Sequence, residues 1–116
     1  MTNVKLFDFA TREDSLSEEA WTGKGMRLFS MRKYNDALIC INRAIQLNPS
    51  FVQAWLGKSL IFIDLGKYDD SLIYIDRTLQ LDPLNVTAWM GKSLILKNLV
   101  ASLKPMLPLL GQDAGV

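Results

Sequence analysis

The 116-residue chain contains no histidine and a single cysteine, Cys40. Histidine is the commonest general base and the commonest metal ligand, so its absence removes both roles. One cysteine can form neither an internal disulfide nor two of the four ligands of a structural zinc site. The composition therefore predicts no cofactor and no metal site, and it is compatible with a reducing compartment.

The sequence also lacks a long apolar run and an excess of charge of one sign. No segment approaches the roughly 18 uninterrupted apolar residues of a membrane span, and Asp8 interrupts the apolar stretch where a signal peptide would lie. Basic and acidic side chains number 7 and 6 in residues 1–53, and 6 and 6 in residues 54–116. We therefore predict a cytoplasmic protein with no membrane partner and no nucleic-acid partner.

A repeat of 34 residues is the strongest feature that is present. The three tryptophans, Trp21, Trp55 and Trp89, are spaced 34 residues apart, and each lies in an Ala-Trp-X-Gly-Lys phrase. Aligning residues 20–53 with residues 54–87 gives 15 identities in 34 positions. The third copy matches the second at 8 of its first 12 positions and then stops. Such a period predicts stacked units of one supersecondary structure.

Each unit has the pattern of two helices, and no repeat shows the alternation of a strand. In the second unit, Gly66 is placed to end the first helix in a left-handed conformation, and Pro83 follows the second helix. The first unit has Arg32 at the Gly66 position, so its turn is expected to be less favourable. Pro105 and Pro108 bar a second helix in the third unit. We predict two full helical pairs and one closing helix.

The sequence resembles the tetratricopeptide repeat family, whose period is also 34. The resemblance covers about residues 18–99 and rests on a Trp, a small residue four positions later and a large apolar residue three further on. The matching positions are Trp21/Gly25/Leu28, Trp55/Ser59/Phe62 and Trp89/Ser93/Leu96. The resemblance implies an all-α fold, a right-handed stack of antiparallel helix pairs of the α-solenoid type.

The repeats divide the chain into three parts. Residues 1–16 form an N-terminal extension, residues 17–104 form the repeat domain, and residues 105–116 form an apolar, proline-containing tail. Within the repeat domain the predicted units are 18–51, 52–85 and a partial unit, 86–104.

The family resemblance implies a non-catalytic module for protein–protein interaction rather than an enzyme. The first helix of each repeat would line a concave groove that binds an apolar or amphipathic peptide segment. By their positions relative to each Trp, the groove residues would be Thr22, Met26, Phe29, Gln53, Leu56, Leu60, Ile63, Met90 and Leu94. The same face would carry Glu19, Thr87 and Lys97. Alternatively, the apolar members of this set are core residues that pack between helices.

Two other functions are weighed against peptide binding. The protein could self-associate as a dimer or larger species, with the tail or the apolar segment 6–9 filling the groove of its own or another copy. It could bind RNA, as the related pentatricopeptide repeats do, although their period is nearer 35 and the even charge here argues against it.

Two departures from the family pattern bear on the partner. One subgroup clamps the terminal carboxylate of chaperones with Lys, Asn and Arg side chains, and the matching positions here are Thr22, Met26, Gly57, Thr87 and Gly91. None can supply that chemistry, so we predict no chaperone-tail binding by this mode. The second departure is a Lys three residues after each Trp, where the family usually has Leu. These lysines either cover apolar surface with their stems or form a basic ladder for an acidic partner.

Overall fold

The computed structural model describes residues 16–106, which contain five α-helices and no strand. The helices are α1 (Glu18–Ser30), α2 (Tyr34–Leu47), α3 (Val52–Asp64), α4 (Tyr68–Leu81) and α5 (Val86–Ser102), followed by a 3₁₀ turn, Lys104–Met106. The prediction of an all-α fold with two helical pairs and one closing helix is confirmed. Most of the predicted N-terminal extension, including segment 6–9, and residues 107–116 of the predicted tail lie outside the described residues.

Side-chain caps fix the beginnings of α1 and α5. The Ala20 amide donates to Ser17 Oγ at 3.1 Å, and the Ala88 amide donates to Asn85 Oδ1 at 2.8 Å. These bonds satisfy amides that have no acceptor within the helix. The α1 helix therefore begins directly after Ser17.

The turns after α1 and α3 have the same geometry but different residues at the critical position. Arg32 has a φ of 61° and Gly66 a φ of 75°. In each turn the next amide reaches back into the helix at 2.9 Å, from Lys33 to the Leu28 carbonyl and from Lys67 to the Phe62 carbonyl. This is the Schellman arrangement, which requires a left-handed residue after the helix. The prediction that Arg32 makes the less favourable turn agrees with its positive φ, since only glycine adopts that conformation without cost.

The chain divides into two compact units, Met1–Lys58 and Ser59–Val116. In the first unit α1 packs against α2, and Ala37, Cys40, Ile41 and Ala44 of α2 are buried. The two helices lie close together at Gly25, where an added Cβ would lie 2.9 Å from Ile41 Cδ1 and 3.1 Å from the Ala37 carbonyl oxygen. Gly25 therefore sets how closely the two helices approach.

In the second unit α4 packs against α5, and Ile61, Ile75 and Ile95 are fully buried. Polar groups in this core find partners: Ser59 Oγ donates to the Ser71 carbonyl at 3.0 Å. The Phe62 and Tyr74 rings lie 5.0 Å apart. One hydrogen bond and one aromatic pair therefore join α3 to α4.

Candidate functional site

In the first unit the predicted groove residues differ in how much surface they offer. Thr22 is buried, and its hydroxyl donates to the Glu18 carbonyl at 2.7 Å. Leu56 is also buried, at 7% exposure. Met26 and Phe29 are half-buried, and Gln53 is exposed. A partner would therefore meet Met26, Phe29 and Gln53 in this unit, but neither Thr22 nor Leu56.

In the second unit the predicted groove residues form a more accessible apolar surface. Met90 and Leu94 lie one turn apart on α5 and are 68% and 46% exposed. Leu60 and Ile63 of α3 are half-buried. Large apolar side chains this exposed and this close together are typical of interaction surfaces. Thr87 and Lys97, predicted on the same face of α5, are exposed as well.

A lysine stands three residues after each tryptophan, and its ammonium group lies over the ring of that tryptophan. The ammonium-to-centroid distances are 5.4 Å for Lys24 and Trp21, 6.0 Å for Lys58 and Trp55, and 5.8 Å for Lys92 and Trp89. Lys92 Nζ also lies 2.8 Å from the Asp76 carboxylate. Burial lowers the pKa of Lys58. These contacts favour the interpretation in which the lysines cover apolar rings over that of a basic ladder.

The tryptophan indole N–H groups have a second repeated contact. Trp55 Nε1 donates to the Pro49 carbonyl and Trp89 Nε1 to the Pro83 carbonyl, each at 2.7 Å. The proline thus lies six residues before the tryptophan in both cases. Trp21 Nε1 is buried and has no hydrogen-bond partner within residues 16–106.

Groups with possible reactivity lie within the helices. Cys40 is buried in α2, where a thiol behaves as a small apolar side chain. Asp69 and Asp70 lie in the first turn of α4, and Glu18 and Glu19 lie in the first turn of α1. Carboxylates at these positions interact favourably with the helix dipole. Across residues 16–106, no group of three or more Cys, Asp and Glu side chains is placed to hold a metal ion.

The structure also shows a second apolar surface, on another side of α5. Trp89, Leu96, Val100 and Leu103 are each between 43% and 55% exposed, and Ser93 is exposed between them. We name these five residues the open face of α5. Their spacing of four, three, four and three residues was visible in the sequence, and it is the spacing of a seam between packed helices.

None of the helices in residues 16–106 combines the length and the apolar character that a bilayer span requires. A family model described as "Tetratricopeptide repeat" (TPR) matches residues 22–86. The search against curated proteins gives no significant match.

Solved structures share the fold. A crystal structure of MamA protein matches 76% of this chain at 23% identity and a TM-score of 0.70. The chain spans 48% of that MamA chain. The first TPR of Spaghetti (RPAP3), bound to HSP90 peptide SRMEEVD, matches 84% of this chain and 77% of its own at 22% identity and a TM-score of 0.73. The second TPR domain of human RPAP3, in complex with HSP70 peptide SGPTIEEVD, matches 79% and 77% at 22% identity and a TM-score of 0.68.

Proposed function

Because the chain belongs to the tetratricopeptide repeat family, we propose that it is a non-catalytic interaction module that binds an apolar or amphipathic peptide segment of a partner protein. The binding residues are the accessible members of the predicted groove set. They are Met26, Phe29, Gln53, Leu60, Ile63, Met90 and Leu94.

The observation that carries the proposal is the exposure of Met90 and Leu94 on α5. Core side chains between helices are shielded from water, whereas these two leave much of their apolar surface in solvent. Burying such surface under a ligand releases about 25 cal/mol per Å². Methionine also adapts to ligands of different shape because its side chain is unbranched. The alternative interpretation, in which the groove residues are core, fits Thr22 and Leu56 but not Met90.

Two structural neighbours, the TPR domains of RPAP3, are bound to chaperone peptides. We propose a different ligand for this chain, because its clamp positions hold no Lys, Asn or Arg. Thr22, Gly57 and Gly91 are buried, and Thr87 and Met26 carry no charge. A terminal carboxylate would have no cationic or amide partner at these positions.

Peptide selection followed by calorimetry tests the proposal. A random peptide library is selected on the intact chain, and the enriched peptides are titrated into the wild type and two variants. Met90→Glu places a charge on the proposed surface and is expected to weaken binding at least tenfold, since an unpaired charge buried against apolar groups is costly. Ile39→Glu is the matched control, because Ile39 is equally exposed, at 65%, but lies on α2 outside the predicted set.

The expected result is enrichment of apolar or amphipathic peptides whose affinity falls in Met90→Glu and stays within about twofold in Ile39→Glu. If Met90→Glu and Ile39→Glu bound the selected peptides with equal affinity, the assignment of the binding surface would be refuted. Circular dichroism spectra that match the wild type show that each variant is folded.

Self-association is the second candidate function, favoured by the exposed apolar side chains of α5. In this case residues 104–116 of one copy would occupy the groove of another. Light scattering would then show a dimer or larger species that becomes smaller when residues 104–116 are deleted. A monomer with and without these residues would eliminate this candidate.

A further inference from the structure

Two faces of α5 differ in their surroundings. Ala88, Gly91 and Ile95 are buried, and Gly91 lies against Ile75 of α4, whose Cδ1 would be 3.3 Å from an added Cβ. The open face of α5 lies on another side of the helix, because its residues are offset from the buried ones by about a third of a turn. Leu96 belongs to this open face. A helix with apolar residues on both sides is typical of helices packed between two neighbours.

The preceding repeat shows what covers this face. Ser59 and Phe62 of α3 stand 34 residues before Ser93 and Leu96. Both are in contact with α4, Ser59 through its hydrogen bond to the Ser71 carbonyl at 3.0 Å and Phe62 through the Tyr74 ring at 5.0 Å. Ser93 and Leu96 are exposed. Ser93 and Leu96 of the open face therefore correspond to residues of α3 that α4 covers.

Charge identifies the kind of helix that fits. Residues 86–106 contain Lys92, Lys97 and Lys104 and no acidic residue. Lys92 already pairs with Asp76 of α4, so Lys97 and Lys104 are the charges left to a partner. The α4 helix, which covers the equivalent face of α3, contains three aspartates and one arginine. A second copy of α5 would instead bring further lysines and no acidic residue close to this face, where like charges repel.

We propose that the open face of α5 binds an acidic amphipathic helix of a partner protein, which takes the place of the second helix of the third repeat. This helix would place a small residue over Ser93 and a large apolar or aromatic residue over Leu96. The site goes beyond the proposed peptide groove. Met90 and Leu94 belong to the groove set and not to the open face.

A peptide with the sequence of residues 66–83 of this chain is the probe, since it contains the whole of α4. It is titrated into the full chain labelled with ¹⁵N, and the three tryptophan indole signals are followed. The Trp89 signal is expected to shift, and the Trp21 and Trp55 signals are expected to stay. This pattern would locate the peptide on the open face, because Trp89 is the tryptophan in that set.

Variants of both partners complete the test. Leu96→Glu and Val100→Glu are expected to weaken binding at least tenfold, and Met90→Glu is expected to leave it within twofold. Replacing the peptide's Asp69, Asp70 and Asp76 with lysine is also expected to weaken binding at least tenfold. Because Leu96, Val100 and Met90 are all substantially exposed, the variants should keep the wild-type circular dichroism spectrum.

Four results would overturn the proposal. The first is the absence of a Trp89 shift, and the second is equal binding of the charge-reversed peptide. The third is a dimer in sedimentation velocity that Leu96→Glu dissociates, which would make a second copy the occupant. The fourth is binding that appears only after residues 107–116 are deleted, which would make the chain's own tail the occupant. Loss of groove binding in Met90→Glu with retention of the α4 peptide separates this site from the proposed groove.

Discussion

Replacing Arg32 with glycine is expected to stabilise the protein. Arg32 has a φ of 61°, a conformation that costs a residue with a Cβ about 1–2 kcal/mol. Glycine avoids this cost but loses about 0.5–1 kcal/mol through its greater freedom in the unfolded chain. The net gain in the free energy of unfolding is therefore about 0.5–1 kcal/mol, which corresponds to a rise in Tm of roughly 2–6 °C for a domain of this size.

Two control variants distinguish backbone strain from the charge of the arginine. Arg32→Ala removes the charge but keeps a Cβ in the left-handed conformation, so its stability should stay close to that of the wild type. Gly66→Ala should destabilise the protein by about the amount that Arg32→Gly gains. No atom lies within 4 Å of the added Cβ at Gly66, so only the backbone contributes to that cost. Urea unfolding followed by circular dichroism measures all three. An Arg32→Gly variant no more stable than Arg32→Ala would refute the reasoning.

Three further predictions concern packing, the tryptophans and ligand choice. Gly25→Ala should destabilise by about 1–3 kcal/mol through overpacking, whereas Gly23→Ala, whose Cβ would meet its nearest neighbour at 3.7 Å, should stabilise by about 0.5–1 kcal/mol in thermal unfolding. Equal changes in stability for Gly25→Ala and Gly23→Ala would contradict the close approach of the helices at Gly25. Trp55→Phe should cost about 1 kcal/mol more than Trp21→Phe, because the Trp55 indole donates to the Pro49 carbonyl, whereas the Trp21 indole has no hydrogen-bond partner within residues 16–106. Equal losses in the free energy of unfolding for Trp55→Phe and Trp21→Phe, measured by urea unfolding, would contradict this prediction. Calorimetry with the HSP90 peptide SRMEEVD should detect no binding, and a micromolar affinity would overturn the account of the clamp positions.

The repeat made the fold predictable from the sequence. A 34-residue period and the positions of Gly66 and Pro83 indicated two helices per unit and where they end. The positive φ at Arg32 could be anticipated because the alignment placed it opposite Gly66. These features are local or periodic, so they are recorded directly in the order of the residues.

Depth of burial could not be predicted in the same way. Periodicity assigned Leu56 and Met90 to equivalent positions of α3 and α5, yet Leu56 is 7% exposed and Met90 is 68% exposed. Exposure depends on which elements flank a helix, and within residues 16–106 only the 3₁₀ turn Lys104–Met106 follows α5. The sequence also does not distinguish Gly25 from Gly23 in how closely another helix approaches. An added Cβ at Gly25 would lie 2.9 Å from Ile41 Cδ1, whereas one at Gly23 would make only ordinary contact.

Methionine NMR tests the proposed peptide groove most directly. The chain has five methionines, of which Met26 and Met90 belong to the proposed binding set, whereas Met31 is 58% exposed outside it. With ¹³C-labelled methionine methyl groups, a selected amphipathic peptide should shift the Met26 and Met90 signals and leave Met31 unchanged. Saturable binding that moves Met31 while Met26 and Met90 stay fixed would contradict the account.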